Sequence, residues 1–322
     1  MKRTFAFFAG CIILGFGCSK NVDSEITTPE SDGVALSGSA RQCASYEVLQ
    51  ENLKQDPSLA ARMADIERVI ENEQRNPTVG RLVNGFIEIP VVVNVLYKTA
   101  AENISQAQIQ SQIDVLNKDF SATNSDYNQA PAEFASVRSG DTKIKFVLQS
   151  VVRKSTTKKS WTTNDAMKKS SQGGINPTTP ATVLNMWSCN MGGGILGYAQ
   201  FPGGSSATDG VVCDNNAFGI TSGVYGAGRT ATHEVGHWLN LRHIWGDATC
   251  GTDFVNDTPV AQTSNGGCPG VKISTCSGLR EMTMNYMDYT YDACMYMFTI
   301  GQKDRMNATF AVGAGRNSFA QP

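Results

Sequence analysis

Histidine is nearly absent from this chain, which has three in 322 residues, all within TATHEVGHWLNLRHIWGD, residues 230–247. Histidines that served only packing or surface polarity would be scattered, so this concentration indicates that His233, His237 and His243 share one task. The chain is also poor in charge, with 17% charged residues and a formal net charge of −2. Lys and Arg do not outnumber Asp and Glu, so the overall charge gives no reason to expect nucleic acid as a partner.

Long apolar runs are absent after the N-terminus, so no later stretch is expected to cross a membrane. Residues 1–18 place Lys2 and Arg3 ahead of an apolar run that is too short to span a bilayer, which is typical of a secretory signal. This signal ends at Cys18 in the manner of bacterial lipoprotein signals, which predicts a lipid anchor there; ordinary secretion is the alternative. The protein is therefore predicted to be exported, either to the outer cell surface or to the medium.

The remaining pattern alternates helical and strand signals. Residues 19–40 are rich in small polar residues and predict a tether. Apolar residues at helical spacing follow between Tyr46 and Gln74, and Pro57 divides them into two predicted helices. The β-branched run FIEIPVVVNVLY predicts a buried strand that opens the next domain. Later elements are a helix at 104–120, strands at 144–152, 183–187, 195–200 and 210–213, and a closing helix in FTIGQKDRMNATF.

The histidine segment has the spacing of a metal site. His233 and His237 are four residues apart, so on a helix both imidazoles reach one point, and Glu234 lies beside them. This HExxH pattern is typical of zinc sites in which the carboxylate acts as general base. A continued helix would turn His243 about 240° away from His237. Asn240 tolerates the left-handed backbone that would end the helix and bring His243 to the same metal.

Beyond the histidines, the residues resemble a known family. HEVGHWLNLRH followed by MTMNYMDYTYDACM is similar to the pappalysin family of metzincin zinc peptidases, particularly its ulilysin-like bacterial branch. The resemblance covers about residues 41–310 and departs at Asn240, where the family usually has glycine. It implies an α+β fold: a metzincin-like zinc peptidase with a mixed five-stranded sheet, helices above the cleft and a loop-rich, disulfide-stapled lower subdomain. The expected domains are 1–18 signal, 19–81 tether and pro-segment, and 82–322 metallopeptidase.

The resemblance also implies site residues and a function. Met287 would form a methionine turn beneath the metal, and Tyr289 would donate to the oxyanion of the tetrahedral transition state. GILGYAQFP, residues 194–202, would be the rim strand to which an extended substrate adds, unless it is an ordinary sheet edge. Cys294 and Met295 would lie near the pocket for the residue after the scissile bond. Because Met rather than an acidic residue stands there, the sequence gives no reason to expect a preference for Arg or Lys.

The function implied is a zinc-dependent endopeptidase that hydrolyses proteins or peptides and is made as a latent zymogen. Two alternatives come from other classes. A catalytically silent, zinc-containing binding module on a peptidase scaffold would be favoured by loss of Glu234 or of a ligand, but all are present. A structural zinc protein needs a fourth closed ligand, and no residue of the mature domain is predicted to supply one.

Six cysteines remain once Cys11, Cys18 and Cys43 are set aside, and an even number suits disulfides in an exported protein. The family resemblance suggests Cys250–Cys276 and Cys268–Cys294, which leaves Cys189 with Cys213. The loop GDATCGTDFVNDTP also predicts a calcium site formed by carboxylate and hydroxyl oxygens, with plain turn formers as the alternative. Its candidate ligands are Asp247, Asp253, Asp257 and Thr258.

Cys43 is the exported cysteine without an obvious partner. A thiolate is a strong zinc ligand, and one bound at the open fourth position would keep the enzyme silent. The segment ARQCASYEVLQ resembles the latency motif of the family's pro-segments, with the helices at 46–74 as its scaffold. Cleavage between about Arg75 and Leu82 would then release the site. The alternative is a free or intermolecularly paired thiol in a disordered tether.

Overall fold

Two N-terminal helices precede the sheet, as the sequence predicts. The computed structural model describes residues 41–76 and 85–320; the predicted signal, the anchor at Cys18, the tether and the predicted domain boundary at 81/82 lie outside these residues. Helix α1 (Ser45–Gln55) and helix α2 (Leu59–Arg75) are separated around Pro57. Ile66 and Ile70 of α2 are buried in a small cluster with Ala308 and Ala314. In the described part of the chain, no helix has the length and apolar character that a membrane span requires.

The central sheet has five strands in the order β2-β1-β3-β5-β4. Strand β1 (Ile87–Tyr97), β2 (Ile144–Ser155), β3 (Leu184–Cys189) and β5 (Val211–Asp214) are parallel neighbours, and β4 (Gly197–Ala199) runs antiparallel to β5 at the edge. The predicted mixed five-stranded sheet is therefore confirmed. Most of β1 is buried because the sheet is covered on both faces, which explains its unbroken β-branched run.

Helix α3 (Gln106–Phe120) covers one face of the sheet. Its N-cap Ser105 accepts a hydrogen bond from the backbone N–H of Gln108. Ile109, Ile113 and Leu116 recur at helical spacing and are buried in the largest apolar cluster of the described chain. That cluster also holds residues of helix α4 (Arg229–Trp238), so α3 and the sheet together form a support for α4.

After α4 the chain is loop-rich and carries two disulfides, Cys250–Cys276 and Cys268–Cys294. Helix α5 (Ile300–Ala308) closes the fold and begins with a reciprocal capping box between Thr299 and Gln302. Few periodic apolar segments occur between α4 and α5, so the disulfides limit the freedom that extended loops would otherwise have. This is the stapled lower half expected from the sequence.

The predicted third disulfide, Cys189–Cys213, is wrong, and both cysteines are buried free thiols. In the parallel pair of β3 and β5, Cys189 is opposite Asp214 and Cys213 is opposite Ser188. The two cysteines are therefore one residue out of register, and successive side chains of a strand point to opposite faces. Cys213 packs in the cluster that contains α3 and α4, whereas Cys189 packs in the cluster on the other face.

Candidate active site

Helix α4 positions two imidazoles and one carboxylate in the interior. His233, Glu234 and His237 are almost completely buried. The Nδ1 atom of His233 lies 2.6 Å from the carbonyl oxygen of Tyr286, and Nδ1 of His237 lies 2.8 Å from that of Leu241. Each ring therefore donates from Nδ1 to a backbone carbonyl and presents the lone pair of Nε2 to a shared point.

The turn after α4 brings in the third imidazole. Asn240 has φ +67°, the left-handed conformation expected from the sequence, and its carbonyl accepts a hydrogen bond from Nε of Arg305 at 3.0 Å. The backbone N–H of Leu241 donates to Gly236 at 2.9 Å, which closes the helix end. His243 follows, and its Nδ1 is hydrogen-bonded to the carboxylate of Asp247.

The three Nε2 atoms form a small triangle. His237 lies 3.1 Å from each of the other two, and the distance between His233 and His243 is 3.3 Å. Three ligands bound tetrahedrally to zinc at about 2.0–2.1 Å are separated by about 3.3–3.4 Å, so the triangle has the size that zinc needs. Burial first, and neighbouring imidazoles second, hold the pKa of His233 and of His237 well below the ordinary value. Neutral imidazoles in this arrangement fit a zinc ion.

Cys43 lies at the same point. Its Sγ and one nitrogen of each histidine all lie within 4.8 Å of one another, the group in the described residues whose geometry suits a metal ion. The carboxylate of Glu234 accepts hydrogen bonds from the Cys43 thiol at 3.4 Å and from the Ser45 hydroxyl at 2.8 Å. Burial raises the pKa of Glu234 to about 7, against the opposing effect of the Ser45 hydrogen bond.

The segment around Cys43 runs parallel to β4, the edge strand that was predicted as the substrate-binding rim. The Leu196 N–H donates to Gln42 O at 2.9 Å, and the Ala44 N–H donates to Gly197 O at 3.0 Å. Glycine is required at 197, because a Cβ there would lie 2.8 Å from the Val212 carbonyl oxygen and 3.0 Å from Cγ of Glu234. The edge is therefore already paired by the chain itself.

Met287 and Tyr289 both lie beside the histidine segment. Met287 is fully buried against α4, so close that a Cβ on Gly236 would lie 2.5 Å from its Sδ. The ring of Tyr289 packs edge-on to His243 at 4.8 Å, and its hydroxyl donates to the carbonyl oxygen of Cys43 at 3.1 Å. Trp245, which the sequence did not single out, stacks parallel on His243 at 4.3 Å.

Asp292 is the acidic residue that the sequence analysis missed. It forms a buried ion pair with Arg41, whose guanidinium also donates to Thr230 Oγ1 at 2.8 Å and to the Thr290 carbonyl. The same guanidinium lies 4.8 Å from the centre of the Tyr225 ring. Arg41 is only 2% exposed and stands two residues before Cys43, so an acidic pocket lies beside the histidine triangle. The expectation of no acidic residue near Cys294 and Met295 is corrected.

The four candidate calcium ligands are not gathered at one point. Asp247 is hydrogen-bonded to His243, and Asp253 accepts from the Thr258 hydroxyl at 2.7 Å. Asp257 accepts from Thr299 Oγ1 at 2.7 Å and from the Gly301 N–H at 2.8 Å, at the start of α5. These contacts orient the His243 ring, stabilise a loop and cap a helix, respectively.

The fold and this triangle of imidazoles define a zinc-dependent peptidase of the metzincin type. A sequence profile of the family described as pregnancy-associated plasma protein-A matches residues 193–311. An extracellular metalloprotease of Verticillium alfalfae is 32% identical over 241 residues, which cover 69% of this chain and 78% of the relative. Another from Colletotrichum graminicola is 31% identical and covers 78% of this chain and 87% of its own.

Two solved structures are similar as well. A mutant of promirolysin from Tannerella forsythia has a TM-score of 0.78 and 41% identity, covering 87% of this chain and 97% of its own. Mature mirolysin in complex with a cleaved peptide has a TM-score of 0.70 and 44% identity, covering 73% of this chain and 95% of its own. The chain belongs to the pappalysin family of metallopeptidases and is an extracellular zinc endopeptidase.

Proposed function

We propose that this chain is the latent form of an endopeptidase that cleaves peptide bonds on the N-terminal side of a basic residue. The observation that carries the proposal is the pair of contacts made by the segment 41–43. Cys43 lies at the three histidines, and Arg41 fills the acidic pocket two residues away. One stretch of chain therefore blocks both the metal and a side-chain pocket, which is how an inhibitory segment would keep substrate out.

Five residues carry the proposed chemistry: the three histidines, Glu234 and Tyr289. His233, His237 and His243 would hold a zinc ion, which when bound would supply Lewis acidity for the scissile carbonyl and for water. Glu234 accepts the proton of the attacking water and returns it to the leaving amine. Its buried carboxylate is hydrogen-bonded to Cys43 and Ser45 in the latent form, and it becomes available when the segment containing these two residues is removed.

Tyr289 is proposed to stabilise the oxyanion. Its hydroxyl now donates to the carbonyl oxygen of Cys43 at 3.1 Å, so a backbone carbonyl already occupies the place where a substrate carbonyl is expected. As that carbonyl becomes tetrahedral, its oxygen gains negative charge and the hydrogen bond strengthens. The packing of Tyr289 against His243 and Trp245 keeps the hydroxyl in place.

The pocket of Asp292 sets the proposed specificity. A guanidinium or ammonium group buried there needs an anionic partner, because an unpaired buried charge is strongly disfavoured. Arg41 shows that the pocket accepts a full arginine side chain. In the activated enzyme the side chain that follows the scissile bond takes its place.

Glu234→Ala tests the catalytic proposal directly. The matured variant should bind zinc as the wild type does and hydrolyse casein at less than about a tenth of its rate, because the carboxylate moves a proton and does not bind the metal. Zinc content by mass spectrometry and chelator-sensitive hydrolysis are measured together. A zinc-loaded wild type without hydrolysis would favour the alternative of a silent binding module.

Two finer expectations complete the proposal. Lipidation at Cys18 predicts incorporation of labelled fatty acid that is lost in Cys18→Ala, whereas ordinary secretion predicts none. Calcium binding by the loop at 247–258 predicts a lower melting temperature in a calcium-specific chelator. An unchanged melting temperature would support plain turn formers, with which the hydrogen bonds of Asp253 and Asp257 agree.

A further inference from the structure

A second charged group lies beside the histidine triangle, on the side away from Asp292. Residues 41–45, here called the blocking segment, run alongside β4. The carbonyl of Gln42 accepts from the N–H of Leu196, and the Ser45 hydroxyl accepts from the N–H of Ala199. Beyond Cys43 the blocking segment therefore approaches Phe201. The ring centre of Phe201 lies 5.2 Å from that of His237, and the guanidinium of Arg242 lies 4.1 Å from the Phe201 ring centre. Arg242 is thus next to the metal site.

Arg242 has an unsatisfied group in the latent form. Its Nε is buried without a hydrogen-bond partner among the residues that the structure describes. Asp247 attracts its charge, but this carboxylate is hydrogen-bonded to His243. A buried N–H without an acceptor is unfavourable, and stacking of the guanidinium on Phe201 offsets only part of that cost.

The N-terminal helices supply the missing negative charge. Glu67 of α2 forms a bidentate ion pair with Arg305, at 2.5 and 2.7 Å, and its carboxylate also attracts Arg242. Arg305 is only 1% exposed, and Phe201 is buried by leucines of α1 and α2. When the segment containing these helices is removed, Arg242 and Arg305 lose this carboxylate and Phe201 loses its cover.

We propose that Arg242, stacked on Phe201 and backed by the charge of Arg305, forms an anion-binding subsite that takes an acidic substrate side chain. This subsite rests on the proposed function, which assigns the Asp292 pocket to the residue after the scissile bond. Arg242 lies on the other side of the metal from that pocket, so the acidic side chain belongs to a residue before the scissile bond. In the latent form, the carboxylate of Glu67 supplies negative charge near Arg242 while it is hydrogen-bonded to Arg305.

The test uses matured, zinc-loaded enzyme and matched peptides. All peptides share Arg after the scissile bond and carry either Glu or Gln at one of the four preceding positions. At one of these positions the wild type should cleave the Glu peptide with about fivefold higher kcat/KM, as expected for a partly buried, charge-assisted contact. Equal kcat/KM at all four positions would overturn the subsite and leave the proposed function standing. Absence of cleavage in every peptide would overturn both.

Variants separate the charge from the fold. Arg242→Gln should abolish the preference for Glu, Arg242→Glu should reverse it so that the Gln peptide is cleaved faster than the Glu peptide, and Arg242→Lys should retain part of it. Zinc content is measured for each variant, since Arg242 precedes a metal-binding histidine. Lys159→Gln, an exposed cation outside the site, is the matched control and should leave the preference unchanged. A Glu preference that survives Arg242→Gln in a zinc-loaded enzyme would refute the assignment.

Discussion

Single residues show most clearly what the sequence can reveal about this site. His233 and His237 are predictable because their spacing places both on one helix face, Glu234 because it completes the HExxH pattern beside them, and His243 because Asn240 favours the turn. Asp292 could not be predicted in this way. Its partner Arg41 is 251 positions away, and only the folded chain brings the two together.

Asp292→Asn should change the specificity of the matured enzyme more than its chemistry. Oδ2 of Asp292 accepts from the N–H groups of Ala227 and Arg229, and an asparagine oxygen can keep these bonds while its amide faces the pocket. Loss of the charge should lower kcat/KM for an Arg peptide about 100-fold, since a buried cation loses its partner. A peptide with Leu after the scissile bond is the control; an equal loss for both peptides would contradict a specificity role.

Asp247→Ala should weaken zinc binding without removing a ligand. Its carboxylate holds Nδ1 of His243 and so directs Nε2 towards those of His233 and His237. Groups in this position typically contribute 10- to 100-fold to metal affinity, so we expect a loss of about tenfold or more in competition with a chromophoric chelator. Asp253→Ala, which removes a carboxylate bonded to Thr258, should leave zinc affinity unchanged. Equal affinities of wild type and Asp247→Ala would show that His243 is oriented by other contacts.

At the scale of elements, the periodicity of the sequence predicts the positions of most helices and strands, whereas the mixed five-stranded sheet is implied by the family resemblance. The two helices on either side of Pro57, the helix ending at Phe120 and the strands at 144–155 and 184–189 all lie close to their predicted positions. These segments have strong local patterns that packing reinforces. The register of β3 against β5 has no such local signal, and the pairing of Cys189 with Cys213 failed because it depends on that register.

The blocking segment is an element whose effect rests on one thiol and several supporting contacts. Cys43→Ala, expressed from residue 19 onward, should mature earlier than wild type, because the thiol that occupies the metal site is lost while Arg41 and Ser45 still hold the segment. Processing is followed by gel and activity over time. Cys189→Ala, another buried free cysteine, is the control. Identical time courses for Cys43→Ala and wild type would show that the thiol does not maintain latency.

In the described molecule as a whole, the N-terminal helices contact both the turn before His243 and Glu234. Arg305 donates both to Glu67 of the N-terminal helices and to the carbonyl of Asn240, the residue that turns the chain towards His243. The helices thus contact the structure that places the third histidine as well as the metal site. These hydrogen bonds join Glu67, near the start of the described chain, to Arg305, near its end. Periodicity is a property of local sequence, so it could not predict a contact between such distant positions.

The redox state of the whole matured chain follows from the fold. Cys250, Cys268, Cys276 and Cys294 are paired, whereas Cys189 and Cys213 lie on opposite faces of the sheet. Burial raises the pKa of the Cys213 thiol well above its ordinary value, and burial likewise disfavours the reactive thiolate of Cys189. We expect iodoacetamide to label neither thiol in the native enzyme and both in denaturant without reductant. Peptide mapping under non-reducing conditions should recover the two bridges. A peptide cross-linked through Cys189 and Cys213 would contradict the strand register, because that bond requires both side chains on one face.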